Sequence, residues 1–482
     1  MKWADLLPEA QPFGAGEREV TAVTADSREV GPGCLFFALR GTHNDGHDYI
    51  ADAIARGATG VVTERTPAVP GDVPAVAAPE ARRLLGEAAA RLRDRPSAYL
   101  PVIGITGTNG KTTVAWLVAG LFDDGAVVGT LGWGRPAALC ANGGTTPGAV
   151  ALQERLARLR RDGVTGVALE VSSHALDQQR LGGTSLAGAV WTNLTPEHLD
   201  YHGDLTAYSA AKARLLSWPG LGFAVLNAED PEVIAHAADV APGTPLWRFG
   251  EDSGEVHAME VTCAHDGIRL RAATPQGPVT VHSPLVGSIN VANLLAAVAV
   301  GLAQGLAPET VGERLSAVPP VPGRMEAMGT TPAGAQVWVD YAHTADALER
   351  TLRGARQLVS GRLWCVFGAG GERDRAKRPA MGRVAGHWCD GVILTADNPR
   401  SEDPEAIIAD IRQGMGAAAA ETEPDREAAI SRALDTAGPG DGVVIAGKGH
   451  EAEQELAAAT IPFSDRRVVQ QWLAAHREAA SC

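Results

Sequence analysis

The chain has 482 residues, 45% hydrophobic but only 5% aromatic, and a formal net charge of −15. That length predicts about three domains of roughly 150 residues each, and the charge argues against a nucleic-acid partner, which calls for a basic face. No run reaches the ~18 consecutive apolar residues of a membrane span, and Met1–Gly16 lacks the basic-then-apolar pattern of a secretory signal. Six cysteines (Cys34, Cys140, Cys263, Cys365, Cys389, Cys482) are scattered without a CxxC. They read as reduced thiols of a cytoplasmic protein.

Two Pro-rich joints, "RDRPSAYLP" (Arg93–Pro101) and "AVPPVPGR" (Ala317–Arg324), predict domains over 1–98, 99–322 and 323–482. Repeats are absent, and "GMGAAAAETEPD" (Gly414–Asp425) reads as an exposed helix end or loop. In the two larger domains, short Val- and Ile-rich runs alternate with Ala/Leu/Arg segments of helical period. This is the βαβ pattern of a mostly parallel α/β sheet. Ligands in such sheets bind beyond the carboxyl ends of the strands, so the residues after each apolar run matter most.

In the central domain, "PVIGITGTNGKTTVAWLVAGLF" reads as a strand, a Gly-rich turn and a helix. Gly107, Thr108, Asn109 and Gly110 would turn backbone N–H groups toward phosphate at a helix N-terminus. Lys111 would reach the β/γ-phosphates and the Thr112 hydroxyl would bind Mg²⁺, with Thr113 following. The match is incomplete: Ile105 stands where G-x-x-x-x-G-K-[ST] has its first glycine. The next run, "GVTGVALE", ends in Glu170, placed like the second-strand acid that holds Mg²⁺ in phosphate-loop enzymes; a buried structural glutamate is the alternative. A third run leads to His198, Asp200 and His202, a spacing that invites zinc, but HExxH and a cysteine cluster are both missing. Lys212, in "AYSAAKARLL", reads from spacing alone as a helix-surface lysine.

Four apolar runs of the C-terminal domain end in polar clusters. They deliver Asp340 and His343; Arg373, Asp374, Lys377 and Arg378; Asp397, Asn398 and Arg400; and Lys448, His450 and Glu451. Each alone is as well read as a solvated loop. Together, on one edge of a parallel sheet, they predict a binding site. Arginine for carboxylate and glutamate for ammonium suit a zwitterion. A dinucleotide site fits less well, because "GAGGER" has Arg373 where GxGxxG ends in glycine.

With these motifs in view, the chain resembles the Mur ligases, ATP-dependent amide-bond formers of bacterial cell-wall synthesis. "TGTNGKTT" is similar to that family's own phosphate loop. "EVSSHALDQQR", "TNLTPEHLDYHGD", "DYAHTADALE", "GGERDRAKRP", "DNPR" and "GKGHE" resemble the UDP-N-acetylmuramoyl-tripeptide synthetases (the MurE type) within it. The resemblance implies ATP and two Mg²⁺ ions held by Lys111, Thr112, Glu170, His198 and a carbamylated Lys212. It places the muramoyl-dipeptide at Thr145, Thr146, Ser172, Gln178 and Arg180, and the uridine diphosphate at Ser27, Thr42, His43 and Asn44. Asn290, Arg324 and Asp340 align with ATP contacts.

In this family "DNPR" goes with meso-diaminopimelate rather than lysine. Diaminopimelate carries a distal carboxylate that Arg400 can pair with, and an arginine left unpaired by lysine would be costly. Asp397, Asn398, Pro399, Arg373, Gly447 and Glu451 would hold the other amino-acid groups. Ala396, Gly148 and Ile289 depart from the commoner family pattern without removing a ligand. The implied reaction joins meso-diaminopimelate to the D-Glu γ-carboxylate of UDP-MurNAc-L-Ala-D-Glu through an acyl phosphate. His343 is a candidate general base, and the expected state is a monomer. A lysine-adding or folate-polyglutamate ligase, or a non-catalytic nucleotide-binding scaffold, would be the alternatives.

Overall fold

The computed structural model describes residues 1–10, 15–42, 44–66, 73–416 and 420–480. The chain divides into two compact units, Met1–Arg248 and Phe249–Cys482.

The first unit holds two parallel arrays. Near the N-terminus, Ala22–Thr24, Cys34–Ala38, Gly60–Thr63 and Ala75–Ala77 pair in order, all parallel. The larger array has the order Ala224–Asn227, Gly188–Trp191, Val102–Thr106, Gly166–Glu170, Gly125–Gly129. These strands also run parallel, and nearly every residue in them is buried, as in a sheet covered by helices on both faces. The antiparallel strands Gly132–Arg135 and Ala138–Cys140 extend one edge. Val102–Thr106 is central, so the turn that follows it opens at the middle of the sheet's carboxyl edge, flanked by the ends of Gly166–Glu170 and Gly188–Trp191.

The second unit contains a six-stranded sheet ordered Glu326–Thr330, Gln336–Asp340, Gly442–Ala446, Leu363–Phe367, Gly391–Leu394, Ala420–Thr422. The first strand is antiparallel to its neighbour and the others are parallel. All four polar clusters expected at strand ends therefore leave from the same edge. Two local readings are corrected. Ala420–Thr422, expected as loop or helix end, is an edge strand paired with Val392–Leu394. The stretch Val256–Ser283 is an antiparallel meander rather than a βα repeat. Its last two strands, Gly267–Ala273 and Val279–Ser283, alternate buried and exposed side chains, the period of a sheet with one wet face.

Candidate active site

The phosphate loop is built by two glycines in the left-handed region, Gly107 at φ 144° and Gly110 at φ 83°. A Cβ on Gly107 would collide with the Thr192 hydroxyl, so only glycine fits this turn. Gly110 caps the helix Lys111–Ala119. Neighbouring strand ends hold the loop: the Asn109 N–H donates to Asn193 Oδ1 at 2.8 Å, and Thr192 Oγ1 donates to the Asn109 carbonyl at 2.6 Å. Thr108 Oγ1 lies 3.2 Å from the Tyr208 hydroxyl. Lys111 Nζ folds back onto the Gly107 and Thr108 carbonyls at 2.9 and 2.7 Å. Ile105, the departure from the standard motif, is a buried residue of the preceding strand.

Glu170, 2% exposed, sits at the end of its strand with a full set of donors. Thr112 Oγ1 donates to Oε2 at 2.9 Å, Thr130 N–H to Oε1 at 2.8 Å and Thr130 Oγ1 to Oε2 at 3.1 Å. Thr130 also lies 3.1 Å from the Thr145 hydroxyl. Thr146 Oγ1 donates to the Glu170 carbonyl at 2.8 Å and accepts from Ser172 N–H at 3.0 Å. Arg180 Nη1 donates to the Thr146 carbonyl at 2.8 Å, and its Nε donates to Gln178 Oε1 at 3.1 Å. Five residues predicted for the dipeptide are thus brought together around the end of one strand.

Lys212 overturns the surface reading. It is 1% exposed, lies over the Tyr208 ring at 4.6 Å and donates to the Gly107 carbonyl at 2.8 Å. Burial, with the nearby Lys111 charge second, drives its ammonium pKa well below the ordinary lysine value. The pattern of the helix Leu205–Ala213 carries no sign of this, since the helix meets the underside of the phosphate loop. His198 is left-handed at φ 56°, and its pKa is lowered first by burial, with Lys111 and Lys212 adding to the effect. Its ring packs edge-on against His174 at 4.8 Å. His174 is itself lowered to about 4 by burial and by His198 and His202. His202 instead lies 3.0 Å from the Ser173 hydroxyl. Among the described residues, no group of three or more His, Cys, Asp or Glu is arranged to hold a metal, which leaves the zinc reading without support.

For the predicted uridine-diphosphate residues, Ser27 is buried at the start of a short 3₁₀ turn capped by Asp26. Thr42 and Asn44 are exposed in a turn closed by Gly41 N–H to the Asn44 carbonyl at 2.8 Å. His43 lies outside the described residues.

In the second unit, Asn398 is the hub of the strand-end cluster. Its Nδ2 donates to Glu451 Oε2 at 3.0 Å, and its Oδ1 accepts from buried Lys448 Nζ at 2.9 Å. Lys448 also donates to Glu451 Oε2 at 2.8 Å. Gly447 has φ 113°, and a Cβ there would press on Asp397 Oδ2; this brings the Gly447 backbone against the DNPR loop. Pro399 packs its carbonyl against Gly371, whose N–H donates to the Asn398 carbonyl at 2.9 Å. Arg400, at φ 53°, donates from Nη1 to the Gly371 carbonyl at 2.7 Å and pairs through Nε with Glu455 Oε2 at 2.7 Å. Arg373 is exposed and has no partner among the described residues.

Other predicted residues of this unit are drawn into the framework. Asp340 is buried and accepts from Met325 N–H at 2.6 Å and from Ala342 N–H and Thr351 Oγ1, both at 2.9 Å. Asn290 is buried and donates to the Val286 carbonyl at 2.8 Å. Arg324 lies over the Tyr341 ring at 4.4 Å. His343 Nδ1 is 2.8 Å from the Tyr341 carbonyl, which makes Nδ1 the protonated nitrogen and Nε2 the basic one.

Sequence reasoning missed three elements of the site. Thr130 and Tyr208 have no motif around them. Arg378, read only as one of a strand-end group, is fully buried and forms ion pairs with Glu402 at 3.0 Å and Asp410 at 2.9 Å. The acidic "SEDP" immediately after DNPR was the available signal for Glu402.

Comparison with known proteins agrees with this geometry. Family models match residues 19–93 (Mur ligase family, catalytic domain), 105–301 (Mur ligase middle domain) and 323–449 (Mur ligase, glutamate ligase domain). A protein of Alkalilimnicola ehrlichii named UDP-N-acetylmuramoyl-L-alanyl-D-glutamate--2,6-diaminopimelate ligase is 45% identical, over 98% of this chain and 97% of that one. The chain belongs to the Mur ligase family. A Pseudomonas aeruginosa protein of the same name is 42% identical over 96% of this Mur ligase and 98% of its own length. A solved structure titled as that ligase is 34% identical, covers 99% of both chains and superposes with a TM-score of 0.74. The three-part Mur ligase architecture and its parallel α/β sheets are therefore those expected from the sequence.

Proposed function

We propose that this Mur ligase adds meso-2,6-diaminopimelate to the γ-carboxylate of D-Glu in UDP-MurNAc-L-Ala-D-Glu, at the expense of ATP, in peptidoglycan precursor synthesis. The observation that carries the reading is Arg400. It stands in a DNPR loop at the carboxyl edge of the second unit's sheet and is oriented by Gly371 and Glu455. It is supported by the names of relatives 41–45% identical over most of the chain. We assign uridine diphosphate to 1–98 (Ser27, Thr42, His43, Asn44), ATP to 99–322 and the amino acid to 323–482. Asn290, Arg324 and Asp340 are assigned to ATP by family resemblance alone.

ATP phosphorylates the γ-carboxylate, the diaminopimelate amine attacks the acyl phosphate, and the tetrahedral intermediate collapses to amide and inorganic phosphate. The loop binds the phosphates with backbone N–H groups from Gly110 to Thr113, where the helix begins, and Lys111 leaves its two carbonyl partners to meet their charge. Thr146, Ser172 and Arg180 orient the dipeptide beside Glu170. We assign His343 as the candidate general base for the amine's proton, with solvent or phosphate as the alternative acceptor.

Glu170 and Thr112 are hard oxygen donors 2.9 Å apart, a set that fits Mg²⁺, which binds few protein ligands and keeps water and phosphate oxygens for the rest. Together with His198 and a carbamate on Lys212 they would hold two Mg²⁺ ions, which when bound offset phosphate charge. Carbamylation needs the neutral amine, and the buried Lys212 with its lowered pKa supplies it. The carbamate forms by amine attack on CO₂ with loss of one proton.

No helix among the described residues is long and apolar enough to cross a membrane; the cytoplasmic location and the monomeric state are assigned from the sequence reading alone. The deciding assay offers the purified protein ATP, Mg²⁺, UDP-MurNAc-L-Ala-D-Glu and either meso-diaminopimelate or L-lysine, and reads phosphate release and product mass. Product with meso-diaminopimelate alone is expected; equal use of lysine would overturn the role of Arg400.

A further inference from the structure

The residues from Asn227 to Asp239 carry none of the predicted ligands, but they hold two elements on which the site depends. The first is the strand end after Trp191. Asn227 Nδ2 donates to the Thr192 carbonyl at 2.9 Å, and Leu194 N–H donates to Asp230 Oδ2 at 2.7 Å. Thr192 and Asn193 are the residues that clamp Asn109 of the phosphate loop. The second is the helix Leu205–Ala213, which bears Tyr208 and Lys212. Ser209 Oγ of that helix lies 2.7 Å from His236 Nε2, and His236 Nδ1 lies 2.5 Å from Asp239 Oδ2. His236 also stacks on Trp191, with ring centroids 5.2 Å apart and planes within 28°.

On distances alone, Ser209, His236 and Asp239 form a Ser–His–Asp relay. The Asp239 carboxylate accepts from Nδ1, which leaves Nε2 to accept from the serine hydroxyl. A nucleophile needs an open approach, and Ser209 is 4% exposed in the middle of its helix. The relay therefore works as a tether. Lys212 stands three positions after Ser209, on the same face of the helix. Tyr208, beside Ser209, reaches the Thr108 hydroxyl of the loop at 3.2 Å. His236 thus touches both the strand that leads into the loop's clamps and the helix that carries Lys212.

We propose that His236 is a positioning residue for the ligase reaction: by gripping Ser209 and Trp191 together it sets the depth at which Lys212 meets the Gly107 carbonyl. This rests on the carbamate reading of Lys212 above and adds the part that keeps the modified lysine in register. Lys212 Nζ lies 2.8 Å from that carbonyl, a separation that a small slip of the helix would lose. A Ser209 hydroxyl left buried without an acceptor is costly, so the helix would shift to satisfy it and carry Lys212 along. Because a carbamate forms reversibly from an amine and CO₂ with loss of one proton, its occupancy reports how well its surroundings fit it.

The test follows the ¹³C-carbamate signal of the full-length protein without substrates against bicarbonate concentration, and kcat over the same range. His236→Phe keeps a ring on Trp191 and removes both hydrogen bonds. The bicarbonate giving half-maximal signal is expected to rise about tenfold in this variant, the scale of one buried hydrogen bond. Its kcat should fall at low bicarbonate and recover as bicarbonate is raised, while KM for meso-diaminopimelate, assigned to the other unit, stays at the parent value. Ser209→Ala breaks the same link with a smaller change and should show the same shift. The double variant should be no worse than His236→Phe alone, because a single link has been cut. His236→Gln, which returns an acceptor to Ser209, should recover part of the signal. A loss of kcat that bicarbonate does not restore, with an unchanged signal, would mean that His236 only supports the fold, and parent behaviour throughout would leave it without a role; both results overturn the proposal. A parent protein with no carbamate signal would instead remove the carbamate reading, and this inference with it.

Discussion

Lys212 Nζ donates to the Gly107 carbonyl at 2.8 Å from a side chain that is almost wholly buried. A lysine placed under the phosphate loop, with no ion pair to a carboxylate among the described residues, is a poor resting site for a cation and a good one for a reactive amine. The parent protein in ¹³C-bicarbonate is expected to show one carbamate resonance that Lys212→Arg lacks. Lys212→Ala should lose at least about a hundredfold in kcat, the scale of one lost electrostatic stabiliser in phosphoryl transfer. An unchanged rate without the resonance would reject the carbamate.

Gly107→Ala tests the loop itself. The new Cβ would meet the Thr192 hydroxyl, at a φ that side chains rarely adopt. Since Thr192 Oγ1 also fixes the Asn109 carbonyl, the collision moves the whole cradle. ATP affinity measured by calorimetry should fall by about tenfold or more, while the melting temperature changes only modestly. Undiminished ATP binding would mean that the nucleotide does not sit on this loop.

These two residues show where the sequence was legible. Gly107 was readable because a strand, a glycine turn and a helix follow in register, and each of those is a local pattern. Lys212 was not, because its burial is decided by a loop more than a hundred positions away in the chain. The same division runs through the second unit. DNPR and GKGHE stand at the ends of apolar runs, so the parallel sheet puts them on one edge. Glu455 and Glu402, which set how Arg400 and its loop are held, come from segments with no periodic signal. The Val256–Ser283 meander was missed for a related reason, since alternation with one wet face was read through the βα pattern on either side of it.

Arg400→Lys keeps the charge and removes the planar fork. Lysine cannot donate at once to the Gly371 carbonyl, Glu455 and a carboxylate with the guanidinium's fixed geometry. KM for meso-diaminopimelate should rise by about ten- to a hundredfold with a smaller fall in kcat. The ATP and UDP-MurNAc-dipeptide constants should remain at parent values, because both ligands are assigned to other domains. Equal loss for all three substrates would point to a folding defect, which circular dichroism would register.

Glu402 supplies a prediction in pH. The Arg378 guanidinium, with the Glu372 N–H second, holds its carboxyl down to about 2 from the ordinary 4.5. Asp410 is lowered by the same guanidinium. A carboxylate whose folded pKa is depressed contributes stability that is fully present above the unfolded value and lost as pH falls through the folded one. The relevant window therefore runs from 4.5 down to about 2. Glu402→Gln should have a lower urea midpoint than the parent at neutral pH, and the gap should narrow as the pH is taken down through that window. Because Glu402 also accepts from the Glu372 N–H, it ties the loop bearing Arg373 to the loop bearing Arg400. The same variant should therefore raise KM for meso-diaminopimelate even where it is fully folded. A stability gap that stays constant down to about pH 3 would show that the Arg378 pair contributes nothing through its charge.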